Sequence, residues 1–205
     1  SYDHSATFLS VDEQINNINR GIKSFQNFFG KLPQIYRAPN GIINIKILKY
    51  LEYRGIHFSS SFFPAYFPGR FNNLHIPQHP FKIKAMEMTE IPFSVTRNLS
   101  IPIGLSYIQL LGMPVFKFLL GLKRDEVIFD FHLHDIFTKE WIESENLKSS
   151  HKLAYFRAYK MNSRLFFFQK VIDYYKKNGY EFCLMNVYLD KLKNEILYEL
   201  DAEKL

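Results

Sequence analysis

The chain has 205 residues, 47% of them apolar and 17% aromatic, which excludes a disordered polymer and suffices for one large domain with its own core. Its formal charge of +6 comes from 26 basic and 20 acidic residues that are intermixed, so no basic stripe of the kind that tracks a nucleic-acid backbone is present. A mild attraction to acidic glycans or a lipid surface is what the charge supports, and a single cysteine, Cys183, excludes an intrachain disulfide.

Ser10-Val-Asp-Glu13 has the form of a capping box, and Ile15, Ile18, Ile22, Phe25 and Phe29 follow at helical spacing until Gly30. This predicts a first helix that ends at that glycine. A short strand is expected at 34–37, then a turn at "RAPNG", a second amphipathic helix over 42–54 closed by Gly55, and a strand at 56–60. Residues 62–89 are proline-rich and weakly periodic, so they are expected to form a long excursion before a strand at 90–95.

The apolar stretch 101–122 carries one charge, Lys117, but Pro102, Pro114 and three glycines interrupt it. Short packed helices are expected there rather than a membrane span, with peripheral membrane contact as the other use of this surface. A strand follows at 126–133, then a polar loop over 137–151, a helix centred on 162–177, a strand at 180–185 and a last helix at 187–197. Helices alternating with single strands predict an α/β fold with a parallel sheet or barrel, in a single domain over 1–205. No signal peptide is visible, and the cytoplasm or the cytoplasmic face of the membrane is the expected location.

The stretch 129–135, "FDFHLHD", alternates apolar and polar residues. In an extended chain Phe129, Phe131 and Leu133 share one face, and Asp130, His132 and His134 the other. In βα folds polar groups gather at the carboxyl ends of the strands. His132 and His134 end one expected strand, Arg37 ends another, and "SSSFFP" begins at the end of a third.

Five stretches carry a family resemblance. His4, in "SYDHSATF", looks like the second histidine of a metal motif. "YRAPNG" (36–41) resembles an Arg-x-Pro-x-Gly motif, and "FSSSFFP" (58–64) an Asp-Ser-Ser-x-x-Pro stretch. "EIPFSVTRNLSIPIG" (90–104) resembles a Glu-x-Pro strand with the loop after it, and "FHLHD" (131–135) a His-Pro-Trp-Glu stretch. In this order they resemble the NodB-homology polysaccharide deacetylases, carbohydrate esterase family 4, and within it the subgroup associated with exopolysaccharide and capsule loci. The resemblance covers roughly residues 1–190. Ser59 stands where the subgroup has Asp, and His134 where it has Trp. The family's Asp-Asp strand and first metal histidine would lie upstream of Ser1, so the chain looks like the C-terminal portion of a larger domain.

The resemblance implies a distorted (β/α) barrel of the NodB type, similar to a TIM barrel and lacking its N-terminal strands here. It implies a metal-dependent hydrolase, with zinc as the expected metal. The substrate would be an acetylated polysaccharide or oligosaccharide, or a lipid-linked sugar precursor, losing N-acetyl or O-acetyl groups. His4 would be one metal ligand, with the others upstream. Arg37 would orient the base aspartate, and His132 would be the general acid, with His134 as its alternative or as a wall of the groove. Either Asp130 or Asp135 could be the carboxylate partner of His132. Pro39, which fixes the turn, and Glu90 are the expected substrate-side residues. Two other readings stand beside this one: a catalytically inactive carbohydrate-binding relative, and a different metal-dependent hydrolase that uses His132 and His134 as a metal pair.

Overall fold

The structure, a computed structural model, describes residues 8–119, 125–132, 135–136, 164–195 and 197–205. His4, His134 and the whole 137–151 loop lie outside the described residues. The chain divides into two compact units, Thr96–Cys183 forming one and Ser1–Val95 with Leu184–Leu205 the other.

In the discontinuous unit, helix α1 (Val11–Phe29) starts where its cap predicts. The Ser10 hydroxyl accepts from the Glu13 N–H at 3.3 Å, and the Glu13 carboxylate accepts from the Ser10 N–H at 2.9 Å. Gly30 closes the helix in the left-handed conformation. Helix α2 (Ile45–Tyr53) is capped by the Asn44 side chain.

The strands are β1 (Ile35–Tyr36), β2 (Phe58–Ser59), β3 (Tyr66–Phe67), β4 (Phe71–Asn72), β5 (Phe81–Lys84), β6 (Met88–Glu90) and β7 (Tyr198–Asp201). Five of them form one sheet in the order β1-β2-β6-β5-β7, and β3 and β4 form a separate antiparallel pair. The pairings β1–β2, β2–β6 and β5–β7 are parallel, while β5–β6 is antiparallel. The fold is therefore mixed α/β with a largely parallel sheet. Among the described residues the strands do not close into a barrel. Strand β5 alternates strictly: Phe81 and Ile83 are buried and Lys82 and Lys84 exposed. Its inner face joins Met88, Leu200, Ile47, Leu48 and Leu51 in the core.

In the other unit, α3 (Leu105–Leu111), α4 (Met113–Leu119) and α5 (Arg164–Lys177) surround a second core built on Ile103, Leu105, Ile108, Phe116, Phe167 and Val171. No described helix is long and apolar enough to cross a membrane.

Several sequence expectations need correction. The strand expected at 90–95 is β6, which ends at Glu90, and the long excursion expected over 62–89 carries β3, β4, β5 and the start of β6. The strand expected at 126–133 is, over its described part, extended chain making one isolated parallel bridge, Asp130 to Gly104. The strand expected at 180–185 does not form. Residues 180–184 make no ladder, Phe182 and Leu184 are exposed, and helix α6 (Met185–Leu192) begins at Met185. The final helix stops at Leu192, and Tyr198–Asp201 is the strand β7 rather than its continuation.

Candidate functional site

The parallel register aligns Tyr36 with Ser59, and Ser59 with Glu90, across β1, β2 and β6. Residues aligned across a parallel sheet share a face, so these three side chains emerge together at the carboxyl ends of three neighbouring strands. The next residues, Arg37 and Ser60, continue the register on the opposite face.

Arg37 donates from Nη2 to Ser60 Oγ at 2.9 Å and from Nε to the Ser60 carbonyl at 3.2 Å. Its guanidinium lies over the ring of Phe93, 4.2 Å from the centroid. Phe93 is stacked on Phe63 with centroids 3.9 Å apart and planes 2° from parallel. Two hydrogen bonds and an aromatic plate thus hold Arg37 in one geometry, although the residue is exposed. The turn that follows is a 3-10 turn opened by Pro39, with Asn40 (φ 58) and Gly41 (φ 67) both left-handed. A Cβ on Gly41 would stand 2.5 Å from Phe63 Cδ2, so this turn packs directly on the Phe63 ring.

Ser59, Ser60 and Ser61 are all buried in an apolar setting, and each hydroxyl has work to do. Ser61 Oγ accepts from the Ala38 N–H at 3.0 Å and from Ser59 Oγ at 2.9 Å. Beyond the end of β2 the Ser61 and Phe62 N–H groups have no ladder partner, and both donate to Glu90 Oε1, at 2.7 and 2.9 Å. Glu90 has no exposed surface. Its Oε2 is buried and has no hydrogen-bond partner of good geometry among the described residues. Burial pushes the Glu90 carboxyl above its ordinary range. The Phe62 N–H, the Ser59 hydroxyl, the Ser61 N–H and the Arg37 charge offset this only in part. Burial likewise pushes the Tyr36 phenol up to about 12, keeping it neutral.

The second unit holds a different polar cluster. Asp135 is fully buried. Its Oδ1 accepts from Ser106 Oγ at 2.6 Å, and its Oδ2 from the His132 N–H at 2.9 Å. The same Oδ2 lies 3.7 Å from His132 Nδ1, ion-pair distance rather than a hydrogen bond. Of the two aspartates considered for His132, the structure brings Asp135 to the ring. The His132 side chain is 44% exposed. Phe129 and Phe131, on the opposite side of the extended chain, meet Tyr175 and Phe168 of α5, with ring centroids 5.9 and 4.9 Å apart.

Arg37, Pro39 and Glu90 thus meet in one hydrogen-bonded region of the first unit, and His132 belongs to the second. Glu90 serves buried backbone groups there. His57 and His75 are structural: a ring nitrogen of each lies 3.1 Å from the Glu87 carbonyl and 2.7 Å from the Lys204 carbonyl respectively. Among the described residues no three His, Cys, Asp or Glu side chains come together as a metal site, and the expected ligand His4 is not one of these residues.

The sequence reading gave no roles to Ser60, Ser61, Ser106, Gln109 or Arg164. A signal was present for two sets of them. Three serines in a row between phenylalanines have to be satisfied if the strand is buried. Ser106 and Gln109 are polar residues three apart in an otherwise apolar helix. Comparison with protein-family models, curated proteins and solved structures finds no match.

Proposed function

We propose that this chain belongs to a metal-dependent hydrolase that removes acetyl groups from a polysaccharide or a lipid-linked sugar precursor, on a barrel of the NodB type. One observation carries the reading. The Arg-x-Pro-x-Gly turn, the serine stretch and the Glu-x-Pro strand lie side by side at the carboxyl ends of β1, β2 and β6 and bond to one another. Stretches separated by tens of residues in the chain meet where α/β folds place their sites.

In this reading Arg37, fixed by Ser60 and Phe93, presents a guanidinium of set orientation to the carboxylate that acts as base. His132 delivers a proton to the departing amine as the carbon–nitrogen bond breaks, and acetate leaves with the oxygen of water. Zinc, held by His4 with further ligands, would polarise the acetyl carbonyl and acidify a bound water.

The test is acetate release from N-acetylated oligosaccharides by the natural protein that carries this chain, with and without chelator. Release that stops on chelation and returns with zinc is expected. His132→Ala should lower turnover about 10²–10⁴-fold while metal content is retained. Arg37→Ala should lower turnover far more than the modest drop in melting temperature that loss of its bonds to Ser60 brings. Glycan binding without acetate release would favour the inactive carbohydrate-binding relative. Loss of metal in His132→Ala would favour the reading in which His132 and His134 are metal ligands.

A further inference from the structure

We propose that Ser106 and Gln109 of α3, with Arg164 of α5 behind them, are positioning residues that clamp Asp135 against His132 and so fix which imidazole nitrogen faces outward. The inference deepens the hydrolase reading and rests on it for the role of His132.

Asp135 sits in a short turn bonded to His132. Its N–H donates to the His132 carbonyl at 2.9 Å, and its Oδ2 accepts from the His132 N–H at 2.9 Å, which ties the two residues to each other. Among the described residues, two further bonds tie the pair to the unit. Ser106 Oγ holds the carboxylate at 2.6 Å, a short bond of the kind formed to a charged acceptor. Gln109 Nε2 donates to the Asp135 carbonyl at 2.8 Å.

Gln109 cannot flip. Its Oε1 accepts from Arg164 Nη2 at 3.2 Å, and a reversed amide would set NH2 against a guanidinium and oxygen against a carbonyl. Arg164 is itself buried, anchored in the helix that contributes Phe167 and Val171 to the core. Rigid helices therefore hold Asp135 at its side chain and at its backbone.

The consequence falls on His132. Its Nδ1 lies toward the fixed carboxylate, which favours the tautomer with the proton on Nδ1 and leaves Nε2 as the atom that takes up and gives the working proton. A free histidine side chain prefers the opposite tautomer, so the clamp has a spectroscopic signature separate from activity.

The experiment is nitrogen NMR of the His132 ring in the natural protein, paired with steady-state kinetics on an acetylated oligosaccharide. The wild type should show the Nδ1–H form. Ser106→Ala should give a tautomer mixture and a kcat lowered about tenfold with KM little changed, the pattern of a lost transition-state interaction. Ser106→Thr, which keeps the hydroxyl, should restore both. Gln109→Glu keeps volume and a partner for Arg164 but loses the donor to Asp135, so it should behave like Ser106→Ala. It carries the test if Ser106→Ala fails to fold. An unchanged tautomer in a folded Ser106→Ala or Gln109→Glu protein overturns the inference. A wild type that releases no acetate yet shows the tautomer shift overturns the hydrolase reading and leaves the clamp standing.

Discussion

A carboxyl group with no exposed surface must be neutral or matched by donors, and among the described residues Glu90 has two backbone donors on one oxygen and none of good geometry on the other. Its pKa is raised, so the folded state holds this proton more tightly than the unfolded chain does. The stabilising contribution is therefore full below the unfolded value of about 4.3 and is lost as pH rises through the folded value. Glu90→Gln keeps an acceptor for the Ser61 and Phe62 N–H groups and removes the ionisation. It should match the wild type in acid and exceed it in stability at neutral pH. Glu90→Ala strips the acceptor from two buried N–H groups and should cost about 2–5 kcal/mol at either pH. Denaturant melts at pH 4 and pH 7.5 measure both. If Gln proves as damaging as Ala, the backbone-acceptor role is wrong. The acid was visible in "EIPF", but the identity of its partners was not, because two of them are backbone groups 28 and 29 residues away.

Elements were legible in proportion to how locally they are encoded. Helix α1 follows from its capping box, its apolar spacing and Gly30, all within its own span. Strands β1 and β2 are two residues long, too short for any alternation to show, and they could be expected only from the breakers around them. The "RAPNG" turn was legible because asparagine and glycine tolerate positive φ, yet nothing local shows that Gly41 also meets Phe63. Substitution separates these two demands. Gly55 is left-handed as well (φ 76), but a Cβ there would meet nothing within 4 Å. Gly55→Ala should cost only the backbone term, about 1–2 kcal/mol. Gly41→Ala should cost clearly more in thermal melts, because Phe63, stacked on the plate that carries Arg37, must move. Equal losses for the two variants would mean the Phe63 ring yields freely and does not tie the turn to Arg37.

At the scale of the whole molecule, the sequence offered no sign that the chain leaves one unit after Val95 and returns to it at Leu184. No linker composition marks either crossing. The pairing of β5 with β7 joins segments more than a hundred residues apart, and no local pattern encodes such a contact. It nevertheless closes the first unit. Tyr198–Asp201 covers one edge of β5, Leu200 is buried with Phe81 and Ile83, and Lys84 pairs with Asp201 at 3.2 Å on the outer face. That surface ion pair contributes little, whereas the strand hydrogen bonds and Leu200 contribute most of the closure. Ending the chain at Glu195 should therefore bare the β5 edge and part of the core, giving a protein that aggregates or pairs with itself. Leu200→Asp, which keeps the strand but sets a charge in the core, should lower stability by about 3–5 kcal/mol, while Asp201→Asn should change it by less than about 1 kcal/mol. Size-exclusion chromatography and thermal melts report all three. A truncated chain that stays monomeric and melts at the wild-type temperature would show that β7 is dispensable and that the first unit is complete without its returning segment.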